Sequence, residues 1–194
     1  IGLHLARALD AGVQGLRLAA VSARDHTKAE RNMAGFRAPP KLVGLRELAE
    51  HAEIVVEAAP AAVFEDIAAA AIARGRIFVP SSVGALLPRM HLLERAEATG
   101  ARIIVPTGAL LGLDAVRAAA EGEVASVTIE TRKPPRGLAG APYLERHGSD
   151  VTAIAAPTRV FAGNAFDAAQ GFPANVNVAA ALALAGIGPE RTAV

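Results

Sequence analysis

Through the first hundred residues, short β-branched runs alternate with longer alanine- and leucine-rich stretches of helical period, a pattern that predicts βα units around a parallel sheet. The periodicity predicts a helix over 1–9 that opens at Gly2, a strand over 16–22, a helix over 25–33, a short strand at 41–43 and a helical turn over 45–52. The uninterrupted apolar run at 54–59 reads as a strand with both faces covered, and Pro60 suits the first turn of a helix that runs to Arg74. Further strands are expected at 76–79 and 102–105, with a helix over 86–98 between them that carries Pro88 in its first turn.

The texture changes after Pro106, where a domain boundary is expected, giving domains 1–106 and 107–194. A helix over 115–120 stops at Gly122, and residues 124–132 alternate apolar and polar like an open-faced strand, so the second sheet should be mixed. Residues 133–148 are rich in Pro and Gly and read as a long loop, a length more often functional than structural. A short strand at 160–161 and helices over 165–169 and 174–186 complete the chain. The fold class is therefore α/β, a parallel-sheet domain followed by an α+β domain.

Composition narrows the partners. The net charge is +1, from 20 basic and 19 acidic residues, and only 4% of the chain is aromatic. That balance offers neither the basic surface nor the stacking platforms of nucleic-acid recognition, which leaves small molecules. With no cysteine there is no disulfide framework, thiolate metal site or cysteine nucleophile, and a cytoplasmic location is the default. The apolar run at 178–187 falls well short of the roughly 20 residues a bilayer demands and reads as a buried helix, so no membrane partner is expected. The chain starts at Ile1 without an initiator methionine or a signal-peptide pattern, and is expected to be an internal piece of a longer protein.

Candidate chemistry lies in two stretches. Ile-Ile-Val-Pro-Thr-Gly-Ala-Leu-Leu-Gly-Leu-Asp at 103–114 carries a strand through a turn into a helix, where free backbone N–H groups can hold a polar ligand. Gly-Phe-Pro-Ala-Asn-Val-Asn-Val at 171–178 places Asn175 and Asn177 before an alanine-rich helix, as caps or as ligand contacts. At the other end, a glycine-led helix followed by β-α-β looks like a nucleotide-binding fold beginning just after its first strand. Gly2 would then be the third glycine of a G-x-G-x-x-G turn. Asp25 lies just past the second strand, where such folds place the acidic group for the adenosine ribose, or else it caps the next helix. If Ala23 ends the strand, no carboxylate faces the ribose, Arg24 is free to meet a 2′-phosphate, and NADP is tolerated.

These residues, together with Ile-Val-Val-Glu-Ala-Ala-Pro at 54–60, Ser-Ser-Val-Gly-Ala-Leu at 81–86, Thr-Arg-Lys-Pro-Pro at 131–135, Leu-Ala-Gly-Ala-Pro-Tyr at 138–143 and Ala-Gly-Ile-Gly-Pro at 185–189, closely resemble the L-aspartate dehydrogenase family. The resemblance implies a Rossmann domain, a second domain with substrate contacts and subunit interfaces, and NAD- or NADP-dependent oxidative deamination of L-aspartate. The product would be iminosuccinate, which passes to oxaloacetate and ammonia or to NAD biosynthesis. It implies nicotinamide-cofactor contacts at Ala109 and Asn175 and a homodimeric assembly. It also implies a catalytic histidine in a segment beyond Val194, so that the isolated chain would be inactive.

Among the histidines present, His4, His26, His51 and His91 read as helix-surface or helix-end residues, and His147 falls in the long loop. Glu57 is expected to point out at the carboxyl end of its strand, with a buried carboxylate of raised pKa as the alternative. Arg132 and Lys133 are the basic pair available to the two carboxylates of a dicarboxylic substrate, unless they are merely solvated. A different two-domain amino-acid dehydrogenase, a non-catalytic nucleotide-binding protein and an assembly role for the apolar helix at 178–187 are the competing readings. None of them calls for a metal.

Overall fold

The computed structural model describes residues 1–108 and 110–194. The chain divides into two compact units, Ile1–Pro80 with His91–Ile104, and Ser81–Met90 with Val105–Val194.

In the first unit, α1 (Gly2–Ala11), β1 (Ala20–Val21), α2 (His26–Met33), β2 (Lys41–Leu42), α3 (Leu48–His51), β3 (Ile54–Glu57), α4 (Phe64–Ala73), β4 (Ile77–Pro80), α5 (His91–Thr99) and β5 (Arg102–Ile103) follow in order. Every ladder is parallel: β1 pairs with β2, and β3, β4 and β5 form a sheet in that order. The strands are shorter than the apolar runs suggest. Of 16–22, only Ala20 and Val21 pair, and residues 13–16 close instead into a tight turn with a Val13–Leu16 bridge and Gly15 at φ 78°. The core lies between the sheet and the helices after β3 and β4, with Phe64, Ile72, Phe78 and Leu92 fully enclosed. Strand β3 does not have two covered faces. Val55 and Glu57 are buried while Ile54 and Val56 are 39% and 36% exposed, because an apolar run does not reveal how many layers pack on it.

The segment expected as one helix over 86–98 is broken. Two 3₁₀ turns, Val83–Ala85 and Leu87–Arg89, belong to the second unit, and α5 begins only at His91 in the first. Val83 and Leu87 lie in the core of the second unit, and this tertiary burial overrides the helical period.

The second unit continues with α6 (Leu113–Ala120), β6 (Val127–Thr128), α7 (Pro142–Arg146), α8 (Ala165–Gly171), α9 (Asn177–Ala185) and β7 (Thr192–Ala193). Strands β6 and β7 are parallel, and Ala193 also makes an antiparallel bridge to Asn164, so the pairing is mixed on a small scale. Residues 124–132 contribute only the two residues of β6, and 160–161 form no strand. Helix α9 is buried along Ala179–Ala183, and its alanines let neighbouring elements approach closely. The stretch 133–148 is not structureless. It contains a 3₁₀ turn, Pro135–Gly137, and α7, started by Pro142 and held by Tyr143, which packs against Phe161 and Phe172 at ring distances of 5.2 and 5.4 Å. Just beyond, the Thr152 hydroxyl and N–H bond Asp150 and hold its carboxyl below the ordinary value. No helix among the described residues is long and apolar enough to cross a membrane, and no described cluster of His, Asp or Glu could hold a metal.

Candidate functional site

The approach to α9 is built by two amides, and neither caps the helix. The N-cap is Val176, which makes no side-chain cap bond. Asn177 instead turns its Oδ1 to accept the N–H of Gly84 at 3.0 Å, joining residues 93 apart in the sequence. Asn175 donates its Nδ2 to the Gly137 carbonyl at 3.0 Å, and its own N–H bonds Phe172 O at 2.8 Å. One amide group is thereby orientated by the 3₁₀ turn of the Pro/Gly-rich stretch, with its Oδ1 facing away from that bond. Asn175, Gly137, Leu138, Pro142 and Phe172 line a small cavity of about 100 Å³.

Gly84 was legible only as part of a motif, and its role is steric. A Cβ there would stand 2.3 Å from Val176 Cγ1 and 3.2 Å from Asn177 Oδ1. The close approach of the 81–90 segment to the start of α9 therefore requires glycine.

The 103–114 stretch forms a turn with Gly108 at φ 61° and Gly112 at φ 77°, conformations that favour glycine, and Gly112 is the N-cap of α6. Ala109 lies outside the described residues. Arg132 is 88% exposed and pairs with Glu130 at 2.8 Å, and Lys133 beside it is exposed. His147 stacks on Tyr143 at 4.1 Å and shares a 2.7 Å hydrogen bond with the Tyr143 carbonyl.

In the first unit, Gly2 opens α1, and a Cβ there would meet Ala58 Cβ at 3.6 Å, an ordinary contact, so the helix sits close to the end of β3 without excluding a side chain. Glu57 does not point out to solvent. It is 1% exposed, and its Oε1 accepts the Ala59 N–H at 2.7 Å, because the turn after β3 offers the carboxylate a backbone donor. Asp25 is the N-cap of α2, accepting the Lys28 N–H at 2.9 Å, while Arg24 is exposed. His4, His26 and His91 are exposed helix residues, with His91 3.6 Å from Glu65, and His51 ends α3. A larger surface depression of about 390 Å³ is lined by the ion pairs Arg46–Asp66 and Arg74–Glu50, whose charges are already matched.

A family model described as the NAD-binding domain of homoserine dehydrogenase matches residues 1–106, and one described as the C-terminal domain of aspartate dehydrogenase matches 114–194. Over all 194 residues the chain is 49% identical to an L-aspartate dehydrogenase of Bradyrhizobium diazoefficiens, covering 69% of that protein. The chain belongs to the L-aspartate dehydrogenase family. It is 44% identical to the L-aspartate dehydrogenase of Methanocella arvoryzae, with the whole chain and 73% of that protein aligned. The crystal structure of aspartate dehydrogenase from Thermotoga maritima superposes with a TM-score of 0.63 over 92% of this chain and 77% of that one. At 21% identity this likeness shows the two-domain fold that the family shares. Gly84, Asn175 and Asn177 thus belong to an aspartate dehydrogenase scaffold, and the first unit to its NAD-binding domain.

Proposed function

We propose that the protein oxidises L-aspartate with NAD or NADP, giving iminosuccinate, the reduced cofactor and a proton. Water then converts iminosuccinate to oxaloacetate and ammonia. The observation that carries this reading is the 49% identity, over all 194 residues, to an L-aspartate dehydrogenase. When bound, the nicotinamide supplies the acceptor for the hydride that leaves C2 of aspartate. The chain supplies orientation and charge.

The donor set suits such a cofactor. In the first unit, Gly2 and Arg24, which follows β1, are assigned to the dinucleotide, while Asp25, the other candidate there, is engaged as the N-cap of α2. In the second, Ala109 and Asn175 are assigned to the nicotinamide end, where an amide fixed by the Gly137 carbonyl retains an acceptor oxygen for a polar ligand. Arg132 and Lys133 are assigned to the substrate carboxylates. Arg132 is held by Glu130 in the structure, so binding aspartate exchanges one carboxylate for another. No general base is assigned among His4, His26, His51, His91 and His147. The same reading takes the enzyme as a cytoplasmic homodimer, and sedimentation velocity checks the dimer.

Initial rates in the complete reading frame test the reading: aspartate should be oxidised, and homoserine, the substrate named in the first domain's family description, should not. Equal or better turnover of homoserine would assign the protein to another two-domain dehydrogenase. The residue roles separate in the same assay. Asn175→Ala should raise the cofactor KM about fivefold to tenfold, as expected for one lost hydrogen bond of about 1 kcal/mol. Arg132→Ala should leave the cofactor KM unchanged and raise the aspartate KM about tenfold or more. An aspartate KM within about twofold of the parent would make Arg132 a surface partner of Glu130 only.

A further inference from the structure

We propose that the turn leaving β1, Ser22-Ala23-Arg24, accepts the 2′-phosphate of NADP, and that the enzyme prefers NADP to NAD. The proposal rests on the dehydrogenase reading above and goes further by choosing between the two cofactors.

In dinucleotide folds the choice is made just past the second strand, where a carboxylate takes the ribose diol of NAD and an arginine accommodates the phosphate of NADP. In the dehydrogenase reading the corresponding strand is β1, the one that precedes Arg24, and its ladder to β2 closes with the Val43 N–H on the Val21 carbonyl at 3.0 Å. The chain then runs Ser22, Ala23, Arg24 and Asp25 before α2 begins at His26. Asp25 supplies the turn's carboxylate, and it is committed elsewhere: with φ −104° and ψ 97° it sits as the N-cap of α2, its Oδ1 accepting the Lys28 N–H at 2.9 Å. Turning it toward a ribose would break that cap. Ala23 has no polar side-chain atom to offer a diol.

Arg24, by contrast, is exposed and makes no ion pair or side-chain hydrogen bond among the described residues. The first turn of α2 carries no acidic residue that would compete for it, and Lys28 adds a second positive charge nearby in the sequence. An unengaged guanidinium with a planar fork of donors matches a phosphate dianion and gains little from a neutral diol. Ser22 adds a hydroxyl that can donate to the same group.

Titration calorimetry with NADPH and with NADH, on the protein in its complete reading frame, tests the assignment by binding alone. The parent should bind NADPH at least tenfold more tightly than NADH. Arg24→Ala should weaken NADPH tenfold to a hundredfold and change NADH by less than about twofold. Ala23→Asp, which places a carboxylate in the turn without touching the cap, should reverse the preference. NADH bound as tightly as NADPH by the parent, or an Arg24→Ala variant that weakens both equally, would overturn the proposal while leaving the dehydrogenase reading intact. Failure of both dinucleotides to bind would overturn that reading and this one with it.

Discussion

Replacing Gly84 with alanine is expected to destabilise the second unit by about 1–3 kcal/mol, the usual cost of forcing a methyl group into a filled space. The added Cβ would lie 2.3 Å from Val176 Cγ1, far inside contact distance, and 3.2 Å from the Asn177 oxygen that accepts the Gly84 N–H. Gly84 is not among the glycines with positive φ, so alanine meets no backbone penalty there and the effect is one of space. Relief requires the 81–90 segment to move away from α9, which stretches the 3.0 Å bond from the Gly84 N–H to Asn177 Oδ1. The double variant Gly84→Ala/Val176→Ala removes the obstructing methyl and should recover part of the loss relative to Val176→Ala alone. Urea denaturation of the four proteins checks this, and additive effects of the two substitutions would mean that the contact does not exist in solution.

Phe78→Ala should have a still larger effect, about 3–5 kcal/mol, which is a large share of the roughly 5–15 kcal/mol that holds a domain folded. Phe78 is fully buried at the centre of β4, in register with Val55 on one side and Ile103 on the other. Its ring meets that of Phe64, itself fully buried, edge to face at 5.6 Å. Truncation leaves a cavity beneath the sheet that α4 cannot fill without leaving β3. Hydrogen exchange should show the loss as reduced protection of the β3, β4 and β5 amides. A change below about 1 kcal/mol would mean that the first unit's core is organised differently.

What the sequence disclosed follows from which interactions are local. The helices opened by Gly2 and by Asp25, and the strands before Pro60 and before Pro80, are visible because capping residues and apolar runs act within one element. The 81–90 segment was not legible, since its conformation is set by Asn177, 93 residues away from Gly84, and by burial of Val83 and Leu87 against α8 and α9. Helix α7 was hidden in a Pro/Gly-rich stretch because five residues are too few to show a period, and its aromatic anchor comes from Phe161 and Phe172. Asn175 and Asn177 stood out as polar residues before an apolar helix. Whether they capped it or reached elsewhere depended on partners at Gly137 and Gly84, which only the fold brings near. Asp25 was open between a cap and a ribose contact, and the Lys28 bond gives it the first role in this structure.

The central claim is that the protein removes hydride from C2 of L-aspartate, and isotope transfer tests it most directly. Incubating the protein in its complete reading frame with [2-²H]-L-aspartate and oxidised cofactor should place one deuterium at C4 of the reduced nicotinamide and release one ammonia per cofactor reduced. Reduced cofactor that carries no deuterium, or ammonia released without cofactor reduction, would contradict the account.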